Sequence, residues 1–137
     1  MQVFISYSDR DELLARKVTN GLKQAGLKVW YEGDEILPGE NWADKIAKAL
    51  RESDAMVVLL THEALHSVRV RRDIEYALGT KKYKERLIPV MVGTSPDDFG
   101  TSYFPWVLWS TSMVSLPKTG KQERAIKQIA NALSLAA

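Results

Sequence analysis

Ala55-Met56-Val57-Val58-Leu59-Leu60 is the most apolar run in the chain. Six such residues without polar alternation predict a strand buried on both faces, as the centre of a helix-covered parallel sheet requires. The flanking segments alternate strand and helix. Residues 3–7 form a short apolar strand ending in Ser6-Tyr7-Ser8. Over 11–25, Leu13, Leu14, Val18, Leu22 and Ala25 recur at helical spacing, and Gly26 takes the position that stops the helix. Residues 27–31 read as a second strand, with Leu27, Val29 and Tyr31 on one side. A turn-rich stretch over 32–39 follows, then an amphipathic helix over Trp42–Glu52 marked by Trp42, Ile46, Ala49 and Leu50.

Downstream of the central run the same order continues. A helix is predicted over 67–83, a strand over Leu87–Val92, a loop over 94–105, a weak strand over 113–116 and a closing helix over 121–133. Such alternation implies an α/β fold with right-handed crossovers, and the economical form is a doubly wound parallel sheet; among the orders open to five strands, 2-1-3-4-5 is the one expected here. In sheets of this kind ligands sit beyond the carboxyl ends of the strands. Ser6-Tyr7-Ser8, the 32–39 stretch and the segment after Leu60 are therefore the expected site.

Composition narrows the functional classes. A chain of 137 residues fits one domain, taken as 1–137. The 19 basic and 17 acidic residues nearly balance, and aromatic residues do not interleave with the basic ones, so no nucleic-acid footprint is expected. No apolar stretch has the length of a membrane span or the form of a signal peptide, and cysteine is absent. A cytoplasmic setting without membrane partner, disulfide or metal centre is the expectation.

Three motifs compete for attention. His62-Glu63-Ala64-Leu65-His66 fits H-E-x-x-H, in which two histidines on one helical face hold zinc and the glutamate acts as base. These are the only histidines, so a third ligand must be a carboxylate, with Glu85 eligible. The pattern also follows a buried strand directly, where a connecting loop belongs. A zinc hydrolase stays as an alternative, and the main expectation is no metal. Gly21 and Gly26 have phosphate-loop spacing, but Leu27 stands where the phosphate-binding lysine should be. Ser6 and Ser67 lack the G-x-S-x-G elbow of a hydrolase and suit turns and caps.

Four stretches taken in order carry a resemblance. Phe4-Ile5-Ser6-Tyr7-Ser8 with Asp11 looks like the opening box of TIR domains, and residues 26–31 look like their second strand. Ile36-Leu37-Pro38-Gly39-Glu40-Asn41-Trp42 resembles their BB loop and the helix start after it. Residues 55–61 and 67–78 resemble the third strand and the helix bearing the family's catalytic position. The resemblance implies a flavodoxin-like sheet that assembles with other TIR domains, as homo- or hetero-oligomers, through the Ile36, Leu37, Pro38 and Gly39 loop. It also implies cleavage of the nicotinamide–ribose bond of NAD, as substrate rather than cofactor, or else a non-catalytic interaction scaffold.

The family's catalytic glutamate ends a pattern like S-x-W-x-x-x-E. Aligned to it stand Ser67, Arg69 in the aromatic position and Asp73 in the glutamate position. The resemblance thus assigns Asp73 as catalytic and Ser6, Tyr7, Asp11, Ser67 and Arg69 as substrate-binding. Aspartate is one methylene shorter, so its oxygens retreat by about 1.5 Å, and a displacement of about 1 Å can cost about a hundredfold in rate. Arg69 and Asp73, four residues apart, are placed to pair. Glu75 lies about 200° around the helix from Asp73 and does not replace it. Trp42, sharing a face with Ile46, Ala49 and Leu50, is read as a core anchor.

Overall fold

The computed structural model describes residues 1–95, 98 and 113–136. Its five strands are β1 (Gln2–Ser6), β2 (Lys28–Trp30), β3 (Ala55–Leu60), β4 (Leu87–Val92) and β5 (Val114–Leu116). All pairings are parallel, as the alternation of elements predicts, and the order is the expected β2-β1-β3-β4-β5. Helices α1 (Glu12–Gln24) and α5 (Glu123–Ala136) cover one face. The other is covered by α3 (Trp42–Glu52) and α4 (Val68–Leu78), while α2 (Glu32–Glu35) is a single turn after β2. The loop expected over 94–105 falls mostly outside the described residues.

Strand alternation divides the core in two. Val3, Ile5, Val57 and Leu59 point to the α1–α5 side, and Phe4, Met56, Val58 and Leu60 point to the α3–α4 side. Every residue of β3 is buried, which explains why its sequence shows no polar period. Helix α1 ends where Gly26 predicts. Gly26 adopts φ +90°, its N–H bonds the Lys23 carbonyl at 3.0 Å, and the Leu27 N–H bonds Leu22 at 3.1 Å. That is a Schellman closure, which needs a residue free to take the left-handed conformation.

Two expectations are corrected here. The helix predicted over 67–83 stops at Leu78, and a separate 3₁₀ turn spans Lys81–Tyr83. Thr80 Oγ1 donates to the Tyr76 carbonyl at 2.7 Å and closes the last turn. Tyr83, fully buried, then donates to the Leu50 carbonyl at 2.6 Å and ties the turn to α3. Trp42 is no core anchor either, being 46% exposed. It begins α3 and borders a cleft, while Ala49 and Leu50 near the other end of the helix are buried.

Leu59→Ala is expected to lower stability by about 2–5 kcal/mol, because it empties the fully buried central strand. Leu13→Ala, at an 84% exposed position of α1, should change it by less than about 0.5 kcal/mol. Urea unfolding of both variants against wild type measures the contrast.

Candidate functional site

Ser6 is the last residue of β1 and lies two residues beyond Phe4, so it faces α3 and α4. A hydroxyl on a dry face needs a partner. Ser6 is completely buried, and its Oγ donates to Asp73 Oδ2 at 2.7 Å. Asp73 comes from the middle of α4 and is itself only 3% exposed. Burial pushes its carboxyl up to about 6, against the opposing pull of the Ser6 hydrogen bond and the Arg69 charge, while Glu32 adds to the rise.

Arg69 sits one turn before Asp73 and knits the mouth of the site together. Its guanidinium lies 4.6 Å from the Tyr7 ring centre and 5.9 Å from that of Trp42. Nη1 donates to Asp9 Oδ1 at 2.8 Å, and Nη2 pairs with Glu32. Glu32 also accepts from Trp42 Nε1 and, over a long 3.4 Å, from the Tyr7 hydroxyl. The expected Arg69–Asp73 pair is thus replaced: Arg69 is taken by Asp9 and Glu32, and Asp73 by Ser6. Contacts across the ends of β1 and β2 win over the i,i+4 contact because the guanidinium gains two carboxylates and two ring faces at once.

Beside Asp73 a cleft of about 990 Å³ runs between α3 and α4. Ser8, Asp9 and Arg10 line it from the end of β1. Trp42, Ala43, Ile46, Ala47 and Leu50 form the α3 wall; Arg69, Arg72, Asp73 and Tyr76 form the α4 wall. An apolar cleft of this size with a few convergent polar groups has the character of a small-molecule site. A smaller cleft of about 370 Å³, lined in part by Tyr7, Glu32 and Ile36, lies on the other side of Arg69, and Asp9 and Arg69 border both.

The remaining site candidates separate. Ser67 borders the cleft, but its Oγ accepts from the Val70 N–H at 3.1 Å and caps α4. Asp11 does not border the cleft: its carboxylate accepts from Thr61 Oγ1 at 2.5 Å and ties the turn after β1 to the end of β3. Tyr7 is buried and serves the Arg69 cluster. In the 36–39 loop Leu37 is 64% exposed and Pro38 and Gly39 are exposed, Ile36 being half-buried; Gly39 takes φ +89°. Glu75 points away from the cleft and pairs with Arg71 at 3.3 Å.

The zinc pattern does not form a zinc helix. Glu63–His66 is a 3₁₀ turn, in which residues four apart do not stack on one face. Among the described residues no group of three histidines, cysteines or carboxylates gathers as a metal site. Asp9 and Glu32 were missed in sequence as site residues, and Trp42 was assigned to the core. Glu32 carried a usable signal: it is an acid directly after the carboxyl end of a strand, where a doubly wound sheet binds ligands. Trp42 carried none, since its apolar periodicity is that of a core residue.

Comparison with known proteins bears on these features. The family profile described as TIR domain matches residues 3–130. The protein named probable 2' cyclic ADP-D-ribose synthase TcpO, from Methanobrevibacter olleyae, is 27% identical over 97 residues, covering 70% of this chain and 28% of that protein. The chain therefore spans well under a third of that relative's length. A metazoan TIR-STING receptor from C. gigas, solved with 2',3'-cGAMP, superposes with TM-score 0.78 at 24% identity, over 96% of this chain and 39% of the receptor. The TIR domains of the activated Roq1 resistosome superpose with TM-score 0.73 at 17% identity, over 95% and 97% of the two chains. At these identities the solved structures establish a shared fold. No helix among the described residues is long and apolar enough to cross a membrane.

The raised Asp73 pKa has a consequence for folding. Between the unfolded value near 3.8 and the folded value of about 6, the native state holds the extra proton, so stability falls as pH rises through that window. Above about pH 6 the ionised, buried carboxylate costs on the order of 2–3 kcal/mol. Asp73→Asn, which keeps an oxygen to accept from Ser6, should therefore raise the melting temperature at pH 7.5 and leave it nearly unchanged at pH 4. Thermal melts of both proteins at the two pH values measure this.

Proposed function

From the premise that this chain belongs to the TIR domain family, we propose that it is a self-associating signalling domain that cleaves the nicotinamide–ribose bond of NAD. Residues 1–137 form one such domain, working in the cytoplasm, with Asp73 as the acting carboxylate. The observation that carries this reading is a buried, Ser6-bonded acid on the wall of a cleft large enough for a dinucleotide. The resemblance of part of the chain to a protein named as a cyclic ADP-ribose synthase supports the same chemistry.

The chemistry asks for little machinery. The C1′–N bond of the nicotinamide riboside breaks, and its electron pair leaves on the nitrogen of nicotinamide, which departs neutral. The ribose becomes an oxocarbenium-like cation. An ionised carboxylate beside C1′ stabilises that charge, and the dry surroundings strengthen the effect. Capture by water, with loss of a proton, gives ADP-ribose. Capture by a hydroxyl of the same molecule, again with loss of its proton, gives a cyclic product. Ser6 holds Asp73 in position, and Trp42 and Tyr76 offer aromatic walls for the rings of the substrate.

The exposed Leu37-Pro38 tip favours assembly as part of the function. An exposed apolar side chain at the tip of a loop gives a partner groove a point to hold. A non-catalytic scaffold is the second reading, and the short side chain of Asp73 favours it. The two readings share the assembly surface and differ in turnover.

Concentrated protein incubated with NAD should release nicotinamide, measured by liquid chromatography. Asp73→Ala should lower the rate at least about a hundredfold. Because the reaction needs the ionised acid, wild-type activity should fall as pH drops below about 6. No release, even from protein driven into oligomers, leaves the scaffold reading in place. Leu37→Glu should reduce self-association in light scattering, and unchanged assembly would remove the loop from the contact.

A further inference from the structure

Arg72 lies on the cleft side of α4. Residues 69, 72, 73 and 76 follow at spacings of three and four, so they share one side of the helix, and all four border the cleft. The charges around that cleft pair off unequally. Arg10 faces Glu63 at 3.9 Å, and Arg69 is held by Asp9 and Glu32. Asp73 accepts from Ser6. Arg71, on a different side of the helix, meets Glu75. Arg72 differs from Arg10 and Arg69 in having no ion pair, hydrogen bond or ring contact among the described residues.

An arginine stays charged at every physiological pH, and its planar fork of donors fits phosphate oxygens in pairs. The cleft also extends well beyond what one ribose with its base would fill, along α4 as far as Tyr76. In a ribonucleotide the 5′-phosphate is separated from C1′ by the ribose ring and one methylene. An acid on the ribose and a cation one helix position away grip neighbouring parts of such a molecule.

We propose that Arg72 binds the diphosphate of the dinucleotide whose ribose lies on Asp73, so that the cleft selects phosphorylated ribosides over free nucleosides. This rests on the NAD-cleaving reading of the same cleft. Arg72 is a binding and specificity residue, acting on affinity and leaving the bond-breaking step to Asp73.

Calorimetric titration of the full chain with inorganic pyrophosphate and with ADP-ribose tests it. Wild type should bind both, more weakly as salt is raised. Arg72→Gln should weaken both by about tenfold or more, Arg72→Lys should recover part of the loss, and Arg71→Gln should bind like wild type. In turnover, Arg72→Gln should raise KM for NAD about tenfold at little-changed kcat and leave nicotinamide riboside, which has no phosphate, unaffected. Matching melting temperatures show that the variants are folded. Equal binding by wild type and Arg72→Gln, or no binding by wild type, overturns the proposal. Binding through Arg72 without nicotinamide release would defeat NAD cleavage and leave the anion site standing. Cleavage with an unchanged KM in Arg72→Gln would do the reverse.

Discussion

A hydroxyl sealed from water needs a partner, and Ser6 finds it in Asp73, a nearly buried carboxylate at the cleft wall. Ser6 ends β1 in the middle of a sheet covered on both faces, and β1 lies between β2 and β3. Its hydroxyl therefore fixes how α4 sits over the strand ends. Asp73 is held within one hydrogen bond of the sheet, with the apolar Val70, Ile74 and Ala77 of the same helix packed beneath. The same burial makes the acid reluctant to ionise. The Ser6 hydrogen bond works against that reluctance, so the bond that positions the acid also favours its ionised form.

Arg69 moderates that cost. Its charge favours ionised Asp73 at a distance, while Glu32 opposes it and takes part of the arginine's charge for itself. The result is a cluster in which Asp9 follows β1, Glu32 follows β2 and Arg69 follows β3, with the Tyr7 and Trp42 rings on the guanidinium. The turns after β1 and β2 and the first turn of α4 thus meet beside the cleft. Where the TIR pattern resembles an aromatic at position 69, this chain uses a cation placed against two aromatics from elsewhere.

Residues differ in how openly they declared these roles. Asp73 could be placed by its position after Ser67 and by the apolar stripe of Val70, Ile74 and Ala77, because helical periodicity is a local property. Glu75 could be set aside on the same ground. Trp42 was read wrongly for the same reason: periodicity says which residues share a face, and says nothing about where the sheet beneath that face ends. Ser67 and Asp11 stand in family-like positions, yet each is committed to local structure, a helix cap and a strand-end tie.

Strand order, helix limits such as Gly26, the two-sided burial of β3 and the family were determined by the amino-acid sequence alone. They follow from short-range patterns of apolar residues, turn residues and ordered motifs. Only the tertiary structure decided which charges meet. Asp9, Glu32 and Arg69 are separated by 23 and 37 residues and become partners because parallel strands end at one edge and α4 packs with its first turn there. Arg72 is distinguished from Arg71 in the same way, by which side of α4 the cleft occupies. Pairing of charges is a matter of distance through space, and distance through space is what the linear order of residues does not contain.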